Sequence, residues 1–143
     1  MSSASLIRVA LPTPLRRLFD YRVAPDGEAI EPGMRVRVPF GRRTLIGIAL
    51  EPATASELPE ARIKPVLARL DPQPIFDPAT LALLRWAADY YHHPIGEVLA
   101  TALPKPLRLG APLASFEERW LATAAGLEAC ARGEPRRAPR QRA

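Results

Sequence analysis

The sequence has very little cysteine and no long apolar run. Cys130 is the single cysteine among 143 residues, which excludes an internal disulfide and a zinc site built from several thiolates. No apolar stretch approaches the roughly 20 residues that a membrane-spanning helix needs. The first residues also lack the basic and apolar segments of a secretory signal peptide. We therefore expect a cytoplasmic chain of about one domain, with no membrane partner and no metal site.

Lysine is scarce, and the positive charge is carried by arginine. Of the 20 basic residues, 18 are arginine and only Lys64 and Lys105 are lysine. Residues 1–50 contain eight basic and four acidic groups, a net charge of +4. Residues 132–143 contain five basic groups and one acidic group, again a net of +4. A locally basic first third favours a polyanionic partner such as nucleic acid, although ordinary solvated arginines would give the same count.

The motifs of common catalytic sites are also missing. There is no Gly-x-x-x-x-Gly-Lys-Ser/Thr loop to hold a nucleotide phosphate. No spacing of Ser, His and Asp indicates a catalytic triad, and the adjacent His92 and His93 should diverge at a helix end. The chain by itself is therefore predicted to be a binding module without a cofactor, and not an enzyme.

Alternation of apolar and polar residues is the clearest structural pattern. In residues 34–40, apolar side chains alternate with Arg35, Arg37 and a proline. This alternation predicts a half-buried strand with both arginines on its open face. Further strands are predicted at residues 4–11, 18–23 and 44–50, with a short one near 62–70. Short strands joined by Pro/Gly turns predict a small twisted sheet or barrel over residues 4–70.

The pattern becomes helical after residue 76. Asp77 followed by Pro78 is a typical helix start, with the acid as N-cap. Apolar residues then recur at three- and four-residue spacing as far as Tyr91, which predicts an amphipathic helix. A second short helix should end before Pro104, so that residues 77–103 form a helical part. The fold class is therefore α+β, a small sheet followed by a helical subdomain.

The last third of the sequence is less regular. Residues 104–114 are predicted to form a linker. Ser115 to Glu118 fits a capping box, although the residues that follow would also suit a strand. Thr123 is predicted to cap a short helix that runs to about Arg132. The tail, residues 133–143, has no apolar residue other than alanine and proline and should be disordered.

Phe19, Asp20 and Tyr21 place one acid between two aromatic residues. Aromatic faces can stack on a nucleobase, at roughly 1–3 kcal/mol per base. A carboxylate can accept a hydrogen bond from a ligand hydroxyl and repels a phosphate. The alternative is a strand whose two rings belong to the core and whose acid lies on the solvated face.

Several long segments resemble the N-terminal part of primosomal protein N′, the PriA family of replication-restart helicases. The resemblance covers roughly residues 6–110, and two of its segments are long and unusual. These are Arg-Val-Arg-Val-Pro-Phe-Gly, ending at Gly41, and Tyr-Tyr-His-His-Pro-Ile-Gly, ending at Gly96. It implies a DNA 3′-terminus-binding domain at 1–110, with a linker and an incomplete winged helix at 111–143.

The resemblance also implies roles for individual residues. Phe19 and Tyr21 would line or stack on the terminal nucleotide, and Asp20 would accept a hydrogen bond from the free 3′-OH. Gly41 would let the backbone approach the sugar or base, and Lys64 would meet a backbone phosphate. Four arginines are candidate contacts to the DNA backbone: Arg35, Arg37, Arg42 and Arg43.

The partners and cofactors implied by the resemblance mostly concern the longer protein. The domain would recognise the 3′ end of a nascent leading strand at stalled or branched forks, for a 3′→5′ helicase that assembles the primosome. Single-strand-binding protein and other primosome proteins would be partners of that helicase. ATP, magnesium and zinc would be bound only by the full-length protein.

Two other interpretations of the chain remain open. One is a protein-interaction module, an SH3-like sheet whose aromatic groove holds a peptide. Salt dependence would separate it from DNA binding, because phosphate contacts weaken steeply as salt rises. The other is an enzyme that uses Asp20 as a general base, although no nucleophile or metal-ligand set accompanies that residue.

Overall fold

The computed structural model describes residues 5–25, 27–113 and 120–133. The chain forms two compact units, Met1–Leu113 and Ala114–Ala143. The first unit contains all five strands and the first three helices, and the second contains the fourth helix. Within the described residues, none of the helices has the length and apolar character required to cross a membrane.

The first unit is built on a five-stranded antiparallel sheet. Its order is β2-β1-β4-β3-β5. The strands are β1 (Leu6–Ala10), β2 (Phe19–Arg22), β3 (Arg35–Phe40), β4 (Arg43–Ala53) and β5 (Ala68–Arg69). All five predicted strands are present, and β4 is longer than predicted because it extends past Leu50 to pair with β1.

The sheet curls until its two edges approach each other. The backbone N–H of Arg22 in β2 donates to the carbonyl of Lys64 at 2.9 Å. The carbonyl of Arg22 accepts from the N–H of Val66, also at 2.9 Å, and a parallel bridge joins Arg22 to Pro65. The segment that leads into β5 is thereby held against β2. This curvature agrees with the predicted small, strongly twisted sheet.

The two faces of the sheet pack into two apolar clusters. The inner cluster lies inside the curl and contains Ile7, Val9, Leu11, Tyr21, Val36, Val38 and Ala49. The outer cluster joins the sheet to the helices and contains Ala10, Ile48, Leu50, Phe76, Leu81, Leu99 and Leu103. Because alternate residues of a strand face opposite ways, β1 and β4 contribute to both clusters, which fixes their register.

The helical part follows the sequence prediction closely. Helix α1 spans Pro78–Tyr90, and the Asp77 carboxylate caps it by accepting from the backbone N–H of Thr80 at 2.8 Å. Helix α2 spans Ile95–Ala102 and packs against α1, β4 and β1. A single 3₁₀ turn, Glu60–Arg62, lies between β4 and β5.

The stretch predicted to be a linker contains a further short helix, α3, at Lys105–Arg108. It is held by Arg35, whose guanidinium donates to the carbonyls of Leu107 at 2.7 Å and Ala111 at 2.9 Å. The same guanidinium forms an ion pair with Asp71 at 2.6 Å, and neither side chain is exposed. The prediction that Arg35 lies on an open face was therefore wrong, because this end of β3 is covered on both sides.

The second unit is described only in part. Helix α4 spans Ala124–Ala131, and the Thr123 hydroxyl accepts from the backbone N–H of Gly126 at 3.1 Å. The predicted cap and the predicted short helix are thus both confirmed. The capping box predicted at residues 115–118 lies outside the described residues, and so does most of the tail predicted to be disordered.

Candidate nucleic-acid interface

Tyr21 belongs to the inner core. Its side chain is only 4% exposed, and its hydroxyl donates to the carbonyl of Pro39 at 3.0 Å. Burial raises the pKa of this phenol to about 12. A ring enclosed in this way has no free face for a nucleobase. The expectation that Tyr21 stacks on a nucleotide is therefore corrected: its ring is part of the inner cluster.

Phe19 is in a different position, at the start of β2 and only half-buried. Its ring meets Phe40 edge to face, with centroids 5.2 Å apart and planes at 83°. The guanidinium of Arg17 lies over the Phe19 ring, 5.0 Å from its centroid. A cation over an aromatic face is attracted by the ring quadrupole. Phe19 therefore links the segment before β2 to the end of β3.

Gly41 and Lys64 are brought together next to this aromatic pair. Phe40 and Arg43 are paired across a two-residue hairpin turn, and Gly41 is the first turn residue, with φ of 59°. Turns of this length commonly need glycine there because φ is positive. The Lys64 ammonium donates to the Gly41 carbonyl at 3.4 Å. Apart from its two chain neighbours, none of the described residues lies within 4 Å of where a Gly41 side chain would begin, so the turn is open to a ligand.

Asp20 faces the other side of β2. Its side chain is 16% exposed, and Oδ1 lies 3.4 Å from Nε of Arg8 on the adjacent strand. Oδ2 accepts a hydrogen bond of 2.5 Å from the Ser56 hydroxyl. Because a carboxylate offers about four acceptor positions, Asp20 can still accept from a ligand hydroxyl.

Arg8 is held in place by a chain of charges across the outer face. Its NH1 donates to Oε1 of Glu51 at 2.9 Å, and Arg85 of α1 lies 3.4 Å from Oε2 of the same residue. The hydrogen bond from Arg8 is the main reason that the pKa of Glu51 is lowered. The donors of Arg8 are therefore directed at two carboxylates, and its role is to orient Asp20.

A cleft of about 550 Å³ opens beside Asp20. It is lined by Arg8, Arg17, Leu18, Asp20, Glu57 and Leu58. The Ser56 hydroxyl, which donates to Asp20, also accepts from the backbone N–H of Leu58 at 3.1 Å and so connects two residues of the lining. Two carboxylates, those of Asp20 and Glu57, and two guanidinium groups thus surround a partly apolar space of nucleotide size.

The structure separates the predicted site residues into two neighbouring groups. Phe19, Gly41 and Lys64 lie around the hairpin turn, whereas the Asp20 carboxylate lies in the cleft on the other face. Arg37, Arg42 and Arg43 are exposed, as expected for candidate backbone contacts. Arg35 is buried in its ion pair with Asp71 and cannot contact DNA, which corrects that expectation.

Sequence reasoning missed three side chains of this surface: Arg8, Arg17 and Ser56. Arg8 could have been found, because pairing β1 with β2 places it opposite Asp20. Ser56 is 36 residues from Asp20 and carries no local signal. Among the residues that the structure describes, no group of three or more His, Cys, Asp or Glu side chains is placed to bind a metal ion.

Residues 8–104 match the model of a protein family described as a 3′DNA-binding domain (3′BD). Among curated proteins, the chain is 42% identical over 95% of its length to the replication restart protein PriA of Haemophilus influenzae. It is 32% identical over 73% of its length to the protein of that name from Treponema pallidum. The chain therefore belongs to the PriA 3′DNA-binding domain family.

The curated relatives are much longer than this chain. It spans 19% of the Haemophilus protein and 17% of the Treponema protein. It spans 14% of the PriA protein of Buchnera aphidicola subsp. Schizaphis graminum, to which it is 29% identical over 72% of its own length.

Proposed function

We propose that this domain binds the 3′-OH terminus of a nascent leading strand at stalled or branched replication forks. It would serve as the recognition part of a 3′→5′ helicase that restarts replication by primosome assembly. Support comes from membership in the 3′DNA-binding domain family and from relatives named replication restart proteins. Single-strand-binding protein and other primosome proteins are proposed as partners of that longer helicase.

The observation that carries this proposal is the Asp20 carboxylate at a cleft with arginine on its border. A carboxylate accepts a hydrogen bond from a hydroxyl but repels a phosphate. Such a site discriminates against a 3′-phosphate, because like charges placed in contact cost several kcal/mol. The adjacent Arg17 and the nearby Lys64 can neutralise phosphates of the same strand. We expect little base preference, since the proposed contacts go to the 3′-OH and to phosphates, which carry no sequence information directly.

The surface fits a peptide groove less well. The SH3-like alternative needs exposed rings, and one of its two aromatic residues, Tyr21, is enclosed in the core. The remaining ring, Phe19, is half-buried against Phe40 and covered by Arg17. A cation on the accessible face of a ring suits an anionic ligand better than an apolar peptide.

The direct test is fluorescence anisotropy with one short labelled single strand in three forms: 3′-OH, 3′-phosphate and 5′-phosphate with a blocked 3′ end. We expect tight binding only where a 3′-OH is free. Equal affinity for all three forms, lost at moderate salt, would mean that the arginines bind any DNA backbone. Binding to none of them would contradict the proposal altogether.

Asp20→Asn and Asp20→Ala test the acceptor role. Both should remove most of the preference for a free 3′-OH while the fold, followed by circular dichroism, survives, because the side chain lies on the outer face. If the Asn variant unfolds, Asp20 is structural and the proposed role is wrong.

Lys64→Ala tests the phosphate contact. It should lower affinity for every end and reduce the slope of log K against log salt by about 0.7, the value for one phosphate contact on a single strand. Lys105→Ala is a matched control, since Lys105 is the second of only two lysines and lies in α3. A change in end preference with Lys64→Ala would contradict a phosphate role.

A further inference from the structure

Arg17 lies at the border of the cleft, and no carboxylate among the described residues forms an ion pair with it. In the part of the chain that the structure describes, its only recorded contact is with the Phe19 ring. Its neighbour in the cleft, Arg8, donates instead to Asp20 and Glu51. Arg85 likewise lies against Glu51. Arg17 therefore retains its hydrogen-bond donors for a ligand, whereas the other two guanidinium groups are occupied.

The position of Arg17 matches what a DNA terminus presents. The terminal nucleoside carries a hydroxyl on its 3′ side and a phosphodiester on its 5′ side, separated by one sugar. Asp20 and Arg17 line one cleft, so one sugar can place its hydroxyl on the acid and its phosphate on the cation. Guanidinium groups bind phosphate oxygens through parallel N–H donors.

The Phe19 ring orients that cation. A guanidinium lying over an aromatic face keeps its N–H donors at its edge, where an anion can reach them. The segment before Arg17 contains Pro12 and Pro14, which limit the conformations of the unbound loop. The Arg17 side chain is thus preorganised, which reduces the conformational entropy lost when a ligand binds.

We propose that Arg17 binds the last phosphodiester of the strand, next to the terminal nucleoside whose 3′-OH is bound by Asp20. This inference rests on the proposed function and assigns the phosphate recognition within that site. Lys64, beside the Gly41 turn, would then contact a different phosphate of the strand. Arg17 contributes affinity for the strand, and the discrimination between chain ends remains with Asp20.

The test combines a protein variant with a change in the ligand. The ligands are 3′-OH strands that carry one neutral methylphosphonate, either at the terminal linkage or at the fourth linkage from the end. Arg17→Gln should weaken binding of the natural strand about tenfold, the loss of about one charge-assisted contact. The ratio of affinities for 3′-OH and 3′-phosphate strands should stay unchanged, because both ends contain the terminal linkage.

The combination gives the decisive result. For the wild-type protein, the terminal methylphosphonate should weaken binding by the same factor as Arg17→Gln does. For the Arg17→Gln protein, that methylphosphonate should cause no further loss, while the one at the fourth linkage should act equally on both proteins. Arg16→Gln is the matched control and should respond to each ligand as the wild type does, because the neighbouring Arg16 does not line the cleft.

Failure of this inference is distinct from failure of the proposed function. If wild-type protein does not distinguish 3′-OH from 3′-phosphate strands, the proposed function fails. If it does distinguish them, two results would overturn the assignment of Arg17. One is that the losses of affinity from Arg17→Gln and from the terminal methylphosphonate add to each other. The other is that the terminal methylphosphonate causes no further loss only in the Lys64→Ala protein. An equal loss from Arg16→Gln would also overturn it, since the contribution would then be general positive charge.

Discussion

Asp71→Ala should destabilise the domain far more than the loss of an exposed ion pair does. The Asp71 carboxylate accepts from the backbone N–H of Arg35 at 3.2 Å, from Nε at 2.9 Å and from NH2 at 2.6 Å. Neither side chain is exposed, so the variant would leave a charged guanidinium without a counter-ion. Removing one partner of a buried pair costs about 3–5 kcal/mol. Because a domain is stable by only about 5–15 kcal/mol, urea unfolding should show a large decrease in midpoint.

The double variant Arg35→Met/Asp71→Leu separates the charge from the hydrogen bonds. Replacing both charges with apolar side chains often restores stability. Here the partly buried carbonyls of Leu107 and Ala111 also lose Arg35 as donor, and a hydrogen bond to a charged group contributes about 1.5–3 kcal/mol. The double variant should therefore be more stable than Asp71→Ala and less stable than the wild type.

Glu28→Ala is the matched control for this experiment. Glu28 pairs with Arg69 at 2.7 Å, but its side chain is 70% exposed. Such a pair contributes about 0–1 kcal/mol. If Asp71→Ala destabilises no more than Glu28→Ala does, at equal m-values, the enclosure of Arg35 is refuted.

Three further predictions concern other parts of the domain. Gly96→Ala should prevent close packing of α2 on β1, because the new Cβ would fall 1.6 Å from the carbonyl oxygen of Leu11; a wild-type melting temperature would contradict this. Between pH 10 and 12, the free energy of unfolding of the wild type should fall more than that of Tyr21→Phe. The reason is that the Tyr21 phenol ionises near pH 10 in the unfolded chain but keeps its proton until about pH 12 in the folded one. If the free energies of unfolding of the two proteins changed with pH in parallel, the assigned burial would be refuted. Ser56→Ala should lower the free energy of unfolding by about 1 kcal/mol, speed hydrogen exchange at the Leu58 amide and weaken the preference for a free 3′-OH. An unchanged exchange rate would show that this hydroxyl does not order the loop.

Much of the sheet could be predicted from sequence because its pattern is local. Alternation in residues 34–40 defined β3, and the Asp77-Pro78 pair defined the start of α1. Alternation also placed Arg35 and Arg37 on one face correctly. It could not show that this face is covered near Arg35 and open near Arg37, because the covering segment comes about 70 residues later in the chain.

In the candidate site too, features set by neighbouring residues in the sequence could be predicted, whereas features set by distant residues could not. The alternation of β2 predicted that Phe19 and Tyr21 face one way and Asp20 the other. Depth within the curl could not be predicted: a small difference in position along β2 buries Tyr21 and leaves Phe19 half-buried at the border. The proximity of Lys64 to Gly41 depends on closure of the sheet edges, and the resemblance suggested it where spacing could not.

The bonds that Arg35 makes to Leu107 and Ala111 span 72 and 76 residues, and this has a consequence for synthesis of the protein. As the chain leaves the ribosome, the strands emerge well before Leu107 and Ala111, whose carbonyls accept hydrogen bonds from the Arg35 guanidinium. Until Ala111 has left the exit tunnel, the Arg35 guanidinium at the start of β3 lacks some of its hydrogen-bond acceptors. Fragments ending before α3 should therefore be poor folders, and nascent chains should gain protease resistance only after that helix has emerged.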